Sequence, residues 1–205
     1  MKLAFVRTGL TLLAASMLLG GCLNLGDASK APAVVYYVLR DTGPAAPVSA
    51  AVPLPVATLR VLDTTTGNFY DTEKLVFSRS PDTRGLYQYA RWTERPGKRF
   101  TELMRARLER QGGWNVSGGA SVPADWQLDT ELVEFYHDAT SEPGQVRLVL
   151  RAAVIDIRQR TVLGQRVFEQ QVPLERYDAA AAAQASSLAV SRLLDELTPW
   201  LASLK

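Results

Sequence analysis

The sequence predicts one α+β domain in which an antiparallel sheet carries two helices on a single face. Three observations predict it. A run of long β-branched segments joined by short polar turns fills residues 126–174. Two segments with apolar residues at helical spacing follow shorter strands, one in the middle of the chain and one at its end. No internal repeat is visible, and strands dominate the pattern, which is the mark of the α+β class.

The first structured element expected is a strand over residues 34–39, Val34-Val35-Tyr36-Tyr37-Val38-Leu39, because β-branched and aromatic residues suit a pleated surface. Residues 41–55 hold Pro44, Pro47, Pro53 and Pro55 among alanines and read as an extended loop. A second strand is expected over 56–62, where Leu59 and Val61 alternate with Arg60. Residues 67–70 turn the chain into a third strand over 74–79. Pro81, Asp82 and Gly85 then mark a hairpin loop, and a fourth strand returns over 86–89.

A helix is expected over 96–111. Pro96 fits its first turn, where a missing N–H costs nothing. Phe100, Leu103, Met104 and Leu108 share one face, while Glu102, Arg105, Glu109 and Arg110 lie largely off it. Gly112-Gly113 stops that helix, and a short strand follows at 114–116. Three strands at 126–136, 146–157 and 162–174 form a meander, with turns at 141–144 and 158–160 short enough for antiparallel neighbours. Asp178 caps a last helix over 179–204, whose apolar face continues through Ala185, Ala189, Leu193, Leu197, Trp200 and Leu201. Pro199 is expected to bend or end it near Thr198.

The chain's first residues carry a separate signal. Lys2 and Arg7 precede an apolar run over 10–19 that is too short to span a bilayer. It ends in Leu19-Gly20-Gly21-Cys22, which resembles a bacterial lipobox. Residues 1–21 are therefore expected to be a cleaved lipoprotein signal, and Cys22 the residue that receives N-acyl and S-diacylglycerol groups, palmitate among them. Residues 22–33 read as a tether and 34–205 as the domain. Leu23 is not the aspartate of inner-membrane retention, so the expected location is the outer membrane, with the domain in the periplasm.

Composition narrows the function. Removing Lys2 and Arg7 from the 23 basic residues leaves 21, against 21 acidic ones. A neutral chain has no general electrostatic reason to bind nucleic acid. Cys22 is the single cysteine, so no disulfide can form within the chain. The single histidine, His137, excludes a histidine metal cluster and the HExxH helix. Beside Asp138 it could form an acid–base pair, although a solvent-facing strand end is the simpler expectation. No GxSxG elbow or phosphate loop occurs. Residues 84–107 interleave arginines with Tyr87, Tyr89, Trp92 and Phe100, a mixture suited to an anionic partner or to a sheet edge with snorkelling arginines.

These segments resemble the ABC-type transport auxiliary lipoprotein family. The resemblance lies in Tyr36-Tyr37-Val38-Leu39 after the tether, Leu75-Val76-Phe77-Ser78-Arg79, Leu86-Tyr87-Gln88-Tyr89-Ala90-Arg91-Trp92 and Pro96. It continues through Leu103 and Leu108, Gly113-Trp114, the strand from Trp126 to Phe135 and the alanine-rich last helix with Trp200. It implies an outer-membrane lipoprotein of a lipid-transport system, working with an ABC ATPase, a permease and an MCE-domain channel protein. It implies no catalytic residues and no cofactor beyond the lipid on Cys22, and it leaves room for a homo-oligomer. Arg84, Arg91, Trp92 and Arg95, within residues 78–99, are the expected docking residues for the MCE partner. A lipoprotein that itself holds a lipid or small apolar ligand between sheet and helix, or a periplasmic hydrolase using His137, are the competing readings.

Overall fold

In the computed structural model, the described residues are 32–43, 58–111, 114–119 and 122–204. The expected signal, the lipobox with Cys22, most of the tether and of the proline-rich loop, and Gly112-Gly113 lie outside them.

Among the described residues, nine strands and two helices follow in the order β1 (Val35–Tyr37), β2 (Thr58–Val61), β3 (Thr65–Thr66), β4 (Lys74–Ser78), β5 (Gly85–Trp92), α1 (Pro96–Gln111), β6 (Asn115–Ser117), β7 (Trp126–Asp138), β8 (Gln145–Asp156), β9 (Thr161–Pro173) and α2 (Ala179–Ser203). Val34–Lys205 is one compact unit. The strands make one sheet, and it is mixed rather than antiparallel. Strand β7 is its spine. Along one side β7 pairs antiparallel with β8, which pairs antiparallel with β9, as the meander predicts. Along its other side lie β2, β3 and β4 in succession, all parallel to it: Leu59 opposite Trp126, Thr65 opposite Glu131, Phe77 opposite His137. Strand β6 adds to β2 in parallel, β5 to β4 antiparallel, and β1 to β5 in parallel.

The parallel half corrects the expectation: β6 and β7 flank β2 and both run in its direction. Helix α1 carries the chain from β5 back to β6, so the strand that follows re-enters the sheet in the direction of β2 and β4. Strand β3, two residues long, is not distinguishable in the sequence.

Both helices cover one face, as expected. Leu128, Leu132, Phe135, Val146, Leu148, Leu150, Val154, Phe168 and Val172 are buried there with Phe100, Leu103, Met104 and Leu108 of α1 and Ala185, Ala189, Leu193, Leu197 and Leu201 of α2. The other face carries cross-strand ion pairs, Arg151 with Glu131 and Arg147 with Glu134 and Glu169. The Asp178 carboxylate accepts a hydrogen bond from the Ala181 N–H at 2.7 Å, so the predicted cap is formed. Helix α2 does not stop at Thr198: it runs through Pro199 to Ser203. Leu193, Leu194 and Leu197 before the proline and Leu201 after it are buried. Their packing outweighs a proline penalty of about 3 kcal/mol.

Candidate docking surface

The one histidine belongs to the interior. His137 is buried on the helix-facing side of β7. Its Nε2 lies 3.0 Å from the Pro143 carbonyl oxygen, which can only accept, so that nitrogen carries the proton. Nδ1 then accepts from the Tyr87 hydroxyl at 2.8 Å. Burial pushes the imidazole below its ordinary value, against the opposing pull of the Pro143 carbonyl and Asp138. Burial likewise pushes the Tyr87 hydroxyl up to about 12. Asp138 caps the adjacent turn instead of pairing with the ring, accepting from the Thr140 N–H at 3.1 Å and hydroxyl at 2.7 Å. Neither the acid–base pair nor the solvent-facing strand end expected for His137 is found. Gly144 closes this corner at φ +79°, and a Cβ there would meet the Asp138 carbonyl at 2.2 Å and His137 Nε2 at 2.8 Å.

A second buried polar group was not foreseen. Arg107 is fully buried between the helices, paired with Asp41 and Asp195. Its Nε donates to Asp41 Oδ2 at 2.7 Å. Burial alone would raise the Asp41 carboxyl, but hydrogen bonds from Arg107 and the Gly43 N–H outweigh it and hold the group below its ordinary value. Around this hub the segment after β1 is tied to both helices. The Thr42 N–H donates to Ser191 Oγ at 2.6 Å, the Arg40 N–H to Ser187 Oγ at 3.2 Å, and Arg99 Nε to the Leu39 carbonyl at 3.1 Å. Arg107 lies seven residues after Phe100, on the apolar face, which is the one local signal that it is buried. Its partners are 66 and 88 residues away, beyond any local pattern.

The four expected docking residues separate. Trp92 is only 3% exposed and stacks on Phe135 with ring centroids 5.8 Å apart, so it is a core residue and cannot meet a partner. Arginine interleaved with aromatics fits a buried strand end as well as an interface, and here the strand runs straight into α1. Arg84 is held within the protein. Its Nε donates to the Tyr70 hydroxyl at 3.0 Å, Nη1 donates to the Pro81 and Thr83 carbonyls at 3.0 and 2.8 Å, and the guanidinium lies 4.0 Å from the Tyr136 ring centroid. Arg95 is exposed and pairs with Asp71 at 2.8 Å. Arg91 is half-buried on β5, opposite Tyr36 of β1 and Lys74 of β4. Arg91 and Arg95 therefore remain at the surface beside the turn at 67–73.

Among the described residues no group of three or more His, Cys, Asp or Glu side chains is placed to hold a metal ion. No described helix is long and apolar enough to cross a membrane. A concavity of about 290 Å³ lies beside β3 and the charged sheet face, bordered by Asp63, Asp129, Glu131 and Arg151.

The histidine and the buried arginine of this α+β domain are both given over to structure. The chain belongs to the family described as the ABC-type transport auxiliary lipoprotein component, whose model matches residues 37–198. A crystal structure from Xanthomonas campestris, of a protein of the DUF330 family, is similar over 82% of this chain and 94% of that one, with 20% identity and a TM-score of 0.74. An uncharacterized protein of known structure covers 82% and 99% at 13% identity with a TM-score of 0.66. A hypothetical protein from Chlamydia trachomatis covers 72% and 97% at 13% identity with a TM-score of 0.51. These likenesses establish the fold. No curated protein matches the chain.

Proposed function

We propose that this protein is the non-catalytic lipoprotein component of an ABC/MCE-type intermembrane lipid transport system. In this reading it is anchored in the outer membrane by the acylated Cys22 and docks the MCE channel protein from the periplasmic side. The observation that carries the reading is the family match over residues 37–198. The lipobox Leu19-Gly20-Gly21-Cys22 followed by Leu23 supports the anchor and its membrane. The close fit of buried alanines of α2 against the sheet leaves little room for a lipid there, which favours docking over carriage.

Docking is assigned to the surface around Arg91 and Arg95, because arginines beside aromatic residues contribute disproportionately to interface energies. The test is capture of the MCE partner from detergent extracts by the double variant Arg91→Ala, Arg95→Ala, with circular dichroism as the folding control. Capture should weaken at least ~tenfold. Undiminished capture by the folded variant would move docking elsewhere. An acyl lipid retained by the purified protein in native mass spectrometry would favour carriage instead. In parallel, Cys22→Ser should leave an unprocessed or soluble periplasmic protein with its fold intact, and acylated protein in that variant would refute the anchor.

A further inference from the structure

Strand β1 ends the sheet, and the side chains there are of an unusual kind for a free edge. Val34, Val35, Tyr36 and Val38 are 39, 48, 58 and 42% exposed. The register sets Tyr36 beside Arg91 and Arg91 beside Lys74, so one aromatic ring and two cations lie in a row across three strands. Cross-strand partners share a face. Neither Arg91 nor Lys74 makes an ion pair among the described residues, nor does Arg40, which is exposed just past β1. Natural edge strands are usually blunted by charge or by a covering element. Here the strand itself is apolar and the charge stands one strand behind it.

Apolar side chains with an amphipathic tyrosine, bordered by unpaired cations, match the chemistry of a phospholipid surface. The aliphatic groups and the ring favour the headgroup boundary, and the cations favour anionic headgroups. The length of chain before β1 points to the same occupant. The 11 residues 23–33 separate Cys22 from Val34. They can reach at most ~40 Å fully extended and about 20 Å as a flexible coil. A domain held that near a bilayer meets it often with whatever lies at its first strand.

We infer that the β1 edge, Val34, Val35, Tyr36 and Val38 with Lys74 and Arg91 behind it, is a membrane-contact surface that seats the domain on an anionic phospholipid leaflet. The inference rests on anchoring at Cys22, and it assigns Arg91 to the border between bilayer and partner. The seat would fix which way the domain faces, which a lipid anchor alone does not.

The experiment uses the mature, lipidated protein in phosphatidylglycerol–phosphatidylethanolamine vesicles. Because Cys22 is acylated, Val34→Cys, Val38→Cys or, at the opposite edge, Val167→Cys each supply one free thiol for an environment-sensitive fluorophore. Brominated phospholipids should quench the probes at 34 and 38 at a depth of about 5–10 Å and leave the probe at 167 unquenched. Lys74→Ala and Arg91→Ala should each lower the quenched fraction by up to about fivefold, an effect absent in vesicles of phosphatidylcholine alone. Equal quenching at all three positions, or none in protein that floats with the vesicles, overturns the inference. Shielding of 34 and 38 from iodide without lipid quenching also overturns it, and assigns the edge to a second copy of the chain. Protein that lacks the acyl mass and does not float overturns the anchor itself, and the inference with it.

Discussion

Arg107 joins helix α1 to helix α2 and to the segment after β1. Its charge is out of water and is balanced by Asp41, itself almost fully buried, and by the half-exposed Asp195. Such a pair can be worth little against a well-packed apolar substitute, yet removing one member leaves a buried charge without compensation. Arg107→Ala should therefore cost about 3–5 kcal/mol in urea unfolding, and replacing Arg107, Asp41 and Asp195 together by apolar residues of similar volume should cost less than the single change. Equal losses would mean that the cost comes from volume and not from charge. His137 predicts a pH dependence. Its folded value lies below that of a free imidazole, so the unfolded chain takes up the proton first as pH falls. The stability it contributes is full above about pH 6.5 and declines as pH drops toward the folded value. His137→Gln can still donate to Pro143 and accept from Tyr87, and thermal unfolding should show a shallower decline between about pH 7 and 5. An unchanged decline would place its origin in other groups.

Among the elements, α1 shows how far periodicity reaches. Phe100, Leu103, Met104 and Leu108 fall on one face in the sequence and all four are buried. Leu103→Asp should lower stability by several kcal/mol, about 2–7 for an unpaired polar group, and an unchanged melting temperature would contradict this packing. Both helices and the β7–β9 meander were legible because helix and hairpin signals are local. Direction and partnership in the other half of the sheet were not. Strands β2, β3 and β4 pair with residues 60–67 positions later in the chain. No spacing within a short window encodes that. The same limit applies to the surface. Arg95 was correctly placed outside. Trp92 was not, because the contact that buries it, with Phe135, lies 43 residues away. Pro199 was legible as a helix breaker, but its outcome depends on the leucines packed around it.

At the scale of the whole molecule, the first described segment of the domain meets the last helix. The segment after β1 is fastened to the last helix through Arg107 and through Thr42 to Ser191, a sequence separation of 149 residues. Much of the native contact map is therefore non-local, which slows folding. No N-terminal part can complete its structure until α2 exists. A chain ending at Leu174 should lack cooperative thermal unfolding, and cooperative melting of that truncation would show that the sheet with α1 suffices. For a protein expected to leave the cytoplasm as a thread, this arrangement acts as a timer. While the last helix is still on the inner side of the translocation pore, the emerged residues cannot lock, and folding is postponed until the whole chain has crossed.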